Sequence, residues 1–221
     1  MNEANLGILR LTLQVGAMST LLCLPFAIAI GYGLARRIVP FPSLIRAIVS
    51  LPMVMPPVAV GLGLLWFFGS MSPIAPVWRW LGIEVVFTPS AAVIAAAVVG
   101  FPLLARSAEQ SFAEIDPRYE EVARTLGASR LATFIRVSLP LARRGLVYGS
   151  LLCFARALGE FGATAVVAGI IPGRTETLSL GIWSRIQLGD DAGAAILVGL
   201  SFTLALASMI AAERWLRPGR A

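Results

Sequence analysis

RYEEVARTLGASRLATFIRVSLPLARR (residues 118–144) is a long charged stretch set between segments almost free of charge. Its apolar residues, Val122, Leu126, Leu131, Phe134 and Ile135, recur among arginines and glutamates, so the spacing predicts an amphipathic helix, a break at Gly127 and a second helix. Asp116-Pro117 ahead of it supplies an N-cap followed by proline at the first helical position, and Leu139-Pro140 is read as the end of the second helix. The expected unit is a short helical hairpin lying along a surface with one face exposed.

Outward from this hairpin the chain turns apolar. Residues 11–35, 47–78, 85–105 and 192–212 carry no charged side chain. A membrane helix needs about 20 apolar residues, because about 1.5 Å of rise per residue must cross roughly 30 Å of hydrocarbon. Each stretch is long enough. The segment 145–171 is also apolar apart from Arg156 and Glu160, which stand at i and i+4 on one helix face and can partner each other toward a protein or water interior. The fold expected is all-α: a single transmembrane domain over 1–221 with five spans near 9–35, 47–69, 87–108, 145–169 and 192–213, and a cytoplasmic segment at 112–140. Pro52, Pro56 and Pro57 mark the second span as the one most prone to break into a short helix and a re-entrant turn.

Composition agrees. Of 221 residues 57% are hydrophobic and 14% charged, with a mean hydropathy of +0.82, which excludes an ordinary soluble domain. The net charge of +6 comes entirely from arginine, and in so apolar a chain it reports orientation rather than nucleic acid. With the N-terminus outside, thirteen arginines fall inside (Arg36, Arg37, Arg46, Arg106, Arg118, Arg124, Arg130, Arg136, Arg143, Arg144, Arg214, Arg217, Arg220) and four outside (Arg10, Arg79, Arg174, Arg185). The expectation is therefore N-terminus out and C-terminus in. Trp78 and Trp80, in the Pro- and Trp-rich connection 70–89, read as aromatic anchors at the headgroup level.

Several chemistries are removed by what is missing. Without histidine there is no imidazole base or ligand, and Cys23 and Cys153 stand apart inside apolar segments, as buried small hydrophobes do. Neither a metal site nor a catalytic constellation is expected. Glu3 ahead of Arg10 and the length of the first apolar run argue against a cleaved signal peptide. Only nine residues follow the last uncharged stretch, so no C-terminal regulatory domain is expected.

The order Glu121-Val122-Ala123, three residues, Gly127, nine residues, Val137-Ser138-Leu139-Pro140 resembles the EAA loop of the membrane subunits of ATP-binding cassette importers, with Val122 in place of Ala and Val137 in place of Ile. The resemblance implies that this segment docks into a cleft of a separate ATPase subunit, with Glu120, Glu121, Ala123, Arg124, Gly127, Ala128, Leu139 and Pro140 as the coupling residues. The chain has no G-x-x-x-x-G-K-[ST] and no lysine to complete one, so no cofactor is expected on it, and ATP with its Mg belongs to the partner. Bottom-up, Arg156 and Glu160 in an apolar span are either a functional site or an ion pair that packs helices, and Gly159 and Gly162 permit a kink or the close approach of another helix.

The runs Ala155-Arg156-Ala157-Leu158-Gly159-Glu160-Phe161-Gly162-Ala163-Thr164, Gly169 to Thr175, Leu51 to Val58 and Ala123 to Ala128 look like the membrane subunit of molybdate importers, over essentially the whole chain. Sulfate and tungstate importers share much of this pattern. What the resemblance implies is a non-enzymatic permease of a bacterial or archaeal cytoplasmic membrane that moves an oxyanion inward by alternating access. Its partners would be a second copy, two ATPase subunits, an extracytoplasmic oxyanion-binding protein and the lipid bilayer, with no nucleic acid. Arg156, Glu160, Gly159, Gly162, Thr164, Pro56 and Pro57 are the candidate pathway or helix-interface residues. A channel or secondary transporter working alone is the competing class. It is disfavoured because the chain shows no filter-like loop, no internal repeat and one intramembrane carboxylate.

Overall fold

The computed structural model of the protein describes residues 3–216, with side chains to Arg214; Arg217 and Arg220 of the inward arginine set lie outside the described residues. The expected all-helical fold is found, and no strand occurs among the described residues. The helices run α1 (Glu3–Ala35), α2 (Pro42–Val54), α3 (Pro57–Phe68), α4 (Ala75–Trp80), α5 (Pro89–Ala113), α6 (Pro117–Thr125), α7 (Arg130–Thr133), a π turn at Phe134–Ser138, α8 (Leu139–Leu158), α9 (Gly162–Val167), α10 (Leu178–Gln187) and α11 (Asp191–Leu216).

Helix α5 is the centre of the bundle, with α1 and α8 packed along it. Its sequence explains the position: Ala91, Ala92, Ala95, Ala96, Ala105 and Ala108 are buried, and such small side chains let neighbouring helices approach without leaving voids. Polar residues in α1 are satisfied locally, because Thr12, Ser19 and Thr20 donate to carbonyls three or four residues back in the same helix. Outward, large apolar side chains such as Leu21, Phe26, Trp66 and Phe202 stay exposed, as a lipid-facing surface requires. Cys23 and Cys153 are free and buried, and the Cys23 thiol donates to the Ala97 carbonyl at 3.3 Å.

Three helices are long and apolar enough to cross a membrane, α1, α5 and α11. The stretch around 47–69 is two helices, α2 and α3, bent by 109° at Met55-Pro56. Proline removes a backbone donor and disfavours helix in the residue before it, so consecutive Pro56 and Pro57 end one helix and start another. The expected single span 145–169 is also divided, into α8 and the short α9 across Gly159–Phe161. Helix α10 matches no span expected from the sequence.

The charged ends of the bundle sort into two groups. The last turn of α1, the start of α2, the end of α5 and the α6–α7 hairpin meet at one end, where Arg36 reaches the Ile115 carbonyl and Arg46 pairs with Glu109 at 2.7 Å. At the other, Glu3, Arg10, Glu176, Arg185 and Asp190 line a cavity of about 850 Å³.

Candidate functional site

Asp116 opens the hairpin by accepting from the Arg118 amide at 2.9 Å, with Pro117 in the first turn of α6. Gly127 ends α6 at φ +88°, a left-handed conformation that costs an L side chain about 1–2 kcal/mol. Ser129 then caps α7 through the Ala132 amide at 3.2 Å. The sequence reading ends this second helix at Leu139-Pro140, but the chain runs helically from Arg130 to Leu158. Pro140 cannot donate to its preceding turn, and the wider π turn just before it absorbs the lost hydrogen bond.

Glu120 is the fastener of this hairpin. Its residue is 2% exposed, and its carboxylate accepts from Arg36 Nη2 at 2.8 Å, Arg36 Nε at 3.0 Å, Ser138 Oγ at 2.7 Å and Tyr32 Oη at 3.4 Å. Arg124 stands 3.6 Å away on the next turn. Burial alone would raise this carboxyl. The hydrogen bonds from Arg36 and Ser138, the Arg36 charge and the Tyr32 hydroxyl outweigh it and hold the group below the usual carboxylate range. Below it, Tyr32 packs edge-on against Phe112 and Phe134 with ring centroids 5.3 and 4.9 Å apart, so α1, α5 and the π turn share one aromatic cluster.

Glu121 is placed differently. It is exposed, and with Arg36, Arg37, Arg124, Arg130 and Leu131 it lines a cleft of about 750 Å³ between the hairpin and the end of α1. Val122, Leu126, Leu131 and Ile135 are also exposed, Leu126 at 83%, so the hairpin shows an apolar outer face flanked by arginines. Ala123 and Ala128 are half-buried, Leu139 is half-buried and Pro140 exposed at the start of α8.

The other candidate residues gather at the two helix breaks. Arg156 Nη1 lies 2.9 Å from Glu160 Oε2, and Glu160 Oε1 accepts from the Ala163 amide at 2.9 Å. One buried carboxylate thus joins the last turn of α8 to the first turn of α9, with Gly159 as the α8 C-cap. A side chain at Gly162 would meet Pro57, and one at Gly61 would lie 2.6 Å from the Ala163 carbonyl, so α3 and α9 cross in backbone contact. Thr164 is buried in α9. The structure therefore brings the Pro56-Pro57 bend and the Gly159–Gly162 break together, about 40 Å along one continuous helix from the hairpin.

A polytopic helical bundle with paired helix breaks and a helical hairpin at one end is the architecture of a multi-pass membrane protein. The chain belongs to the binding-protein-dependent transport system inner membrane component family, whose pattern matches residues 24–221. It is 40% identical over 208 residues to the molybdenum transport system permease protein ModB of Escherichia coli K12, covering 93% of this chain and 90% of that protein. The sulfate transport system permease protein CysW of Synechococcus elongatus is 36% identical over 194 residues, covering 86% of this chain and 68% of that one. Among solved structures, the bacterial alginate ABC transporter in complex with an alginate pentasaccharide-bound periplasmic protein superposes with a TM-score of 0.70 at 18% identity, covering 98% of this chain and 80% of its counterpart. That likeness establishes the ABC transporter permease fold. The protein is a permease component and not an enzyme.

Proposed function

We propose that this chain is one half of the membrane pathway of an ATP-driven importer for molybdate, with five spans, the N-terminus outside and the C-terminus inside. Two copies form the pathway, two separate ATPase subunits carry ATP and Mg, and an extracytoplasmic binding protein delivers the oxyanion. The observation that carries the reading is the Glu120-fastened hairpin with its exposed Val122, Leu126, Leu131 and Ile135. Exposed apolar residues rimmed by arginines outside the bundle are the surface a partner protein covers.

The five-span arrangement counts the bent α2–α3 pair and the divided α8–α9 pair as one crossing each, and the arginine distribution supports the orientation. Coupling then has a mechanical route. A push on the hairpin is transmitted through the continuous helix 130–158 to the Gly159–Glu160 break, where α9 rests on α3 beside the Pro56-Pro57 bend. Arg156, Glu160, Gly159, Gly162, Thr164, Pro56 and Pro57 are the joint of the gate in this account, while solute selection rests mainly with the binding protein.

Similarity to the ModB protein of E. coli supports molybdate, and the 36% identity to a sulfate permease supports sulfate as the second reading. Proteoliposomes holding the whole complex and its cognate binding protein test the choice. ATP-dependent uptake of molybdate that withstands a large excess of sulfate is expected; uptake of sulfate with molybdate excluded overturns it.

A further inference from the structure

The cavity of about 850 Å³ at the end of the bundle opposite the hairpin is lined by α1, the connection 172–176 and α10, and it shares no residue with the α3–α9 joint. Glu176 in its wall breaks the rule that the other buried carboxylates keep. Glu120 and Glu160 each hold an arginine and a further donor. Glu176 is 8% exposed, yet among the described residues it enters no ion pair and accepts no hydrogen bond. Its place in the chain is fixed from both sides. Thr175 Oγ1 donates to the Gly169 carbonyl at 2.8 Å and accepts from the Ile171 amide at 3.0 Å, and the Leu178 amide donates to Thr12 Oγ1 of α1 at 2.8 Å.

The carboxylate lies over bare backbone on α10. A Cβ placed at Gly181 would stand 3.6 Å from Glu176 Oε1, 3.3 Å from Ile8 Cδ1 and 3.1 Å from Leu197 Cδ1. Thr177 Oγ1 is the one side-chain polar atom among the described residues that is both closed off and unpartnered, so the Glu176 oxygens still open onto the cavity. The other charges there are spent or solvated. Arg185 holds Asp190 at 2.6 Å, and Asp190 also accepts from the Gly193 amide at 2.9 Å. Glu3 and Arg10 are exposed at the mouth, in no ion pair, and their charges cancel in sum. One negative charge remains, at Glu176 in the least exposed part of the cavity beside Ile8. A mouth carrying Glu3, Arg10, Arg185 and Asp190 opens to water rather than to acyl chains.

We propose that this cavity receives a lysine or arginine side chain of the extracytoplasmic binding protein, its charged head on Glu176 and its apolar stem along Ile8, Leu11 and Leu188. Those two side chains alone combine such a stem with a cationic head, and the lining follows α1 from Glu3 to Gln14, about 16 Å of helix, which is room enough for either. Docking gives the carboxylate the counter-charge that its burial demands and that the bundle does not supply. A bare metal ion is a poorer occupant, since no three ligating side chains gather among the described residues. The inference rests on the importer reading with this end outside, and it is independent of which oxyanion is carried.

The test uses the complete permease–ATPase complex in nanodiscs with its cognate binding protein. The dissociation constant of the binding protein and the thermal unfolding midpoint of the complex without it are the readouts. Glu176→Gln keeps the shape and removes the charge, so binding should weaken about thirtyfold, mostly through faster dissociation, as when one member of a buried interfacial pair is removed. The midpoint without binding protein should not fall, because no group inside the bundle loses a counter-charge. Gly7→Trp places a side chain in open space at the cavity wall, and it should block docking with the carboxylate intact. Unchanged affinity in either variant, or a lower midpoint for the Glu176→Gln complex alone, overturns the inference while the importer reading stands. An unaltered complex that holds no binding protein overturns both.

Discussion

Two neighbouring glutamates on α6 do different work. Glu120 points into the bundle and meets Arg36, Ser138 and Tyr32, whereas Glu121 faces the cleft. Glu120→Ala leaves the Arg36 guanidinium, 12% exposed, without its partner, and removing one member of a buried pair costs about 3–5 kcal/mol. A fall in thermal stability of the solubilised protein is therefore expected for Glu120→Ala. Glu121→Gln should stay within about 0.5 kcal/mol, as exposed substitutions do, while weakening association with the ATPase. The depressed Glu120 carboxyl also sets a pH dependence. Its stabilising contribution is complete above the unfolded carboxyl value of about 4.3 and is lost as pH falls through the lower folded value. Protection of the 117–138 amides, taken relative to their intrinsic exchange rate at each pH, should be constant from neutral pH down to mildly acidic conditions and fall only in stronger acid. Sequence alone placed both glutamates in the coupling set but could not separate them. Which one is buried depends on an arginine 84 residues away, which no local pattern records.

At the scale of elements, the hairpin was legible because its signals are local: Asp116-Pro117 to start it, Gly127 to turn it, and apolar residues at helical spacing between. The joint at the far end of α8 was only partly legible. Gly159 and Gly162 marked a possible kink, yet the division into α8 and α9 depends on Glu160 reaching both Arg156 and the Ala163 amide, and on α3 lying against α9. Helix α10 was missed because its sequence between Thr177 and Leu188 is short and mixed, and tertiary packing against α11 decides its state. Gly127→Ala should cost about 1 kcal/mol for the left-handed turn, seen as earlier loss of hairpin protection by proteolysis. Gly61→Ala forces a carbon to within 2.6 Å of the Ala163 carbonyl, so α3 and α9 must separate. Transport is expected to fall in that variant while ATPase association is retained, as uptake and co-purification measured together will show.

For the whole molecule, the proposed orientation puts the two groups of charged residues on opposite sides of the membrane. The same end that gathers Arg36, Arg46 and the hairpin should face the cytoplasm, and the end with Arg10 and Asp190 should face outward. Because both native cysteines are buried, a cysteine introduced at Leu126 or at Asp190 can be labelled against a low background. Leu126→Cys should react with an impermeant maleimide only after the membrane is opened, and Asp190→Cys in intact cells. The all-helical, membrane-spanning class was the more accessible part from sequence, since apolar span length is summed over many residues. The bundle's packing order was not, because it rests on which small-residue faces meet.

Co-purification of the ATPase with the tagged permease, measured for Leu126→Asp beside the unaltered chain, decides whether the exposed face of the hairpin is where the ATPase docks. Leu126 is 83% exposed and supports nothing inside the bundle, so the variant should fold and unfold as before. The ATPase is expected to be lost together with solute-stimulated ATP hydrolysis. A full complement of bound ATPase with unchanged stimulation would contradict it.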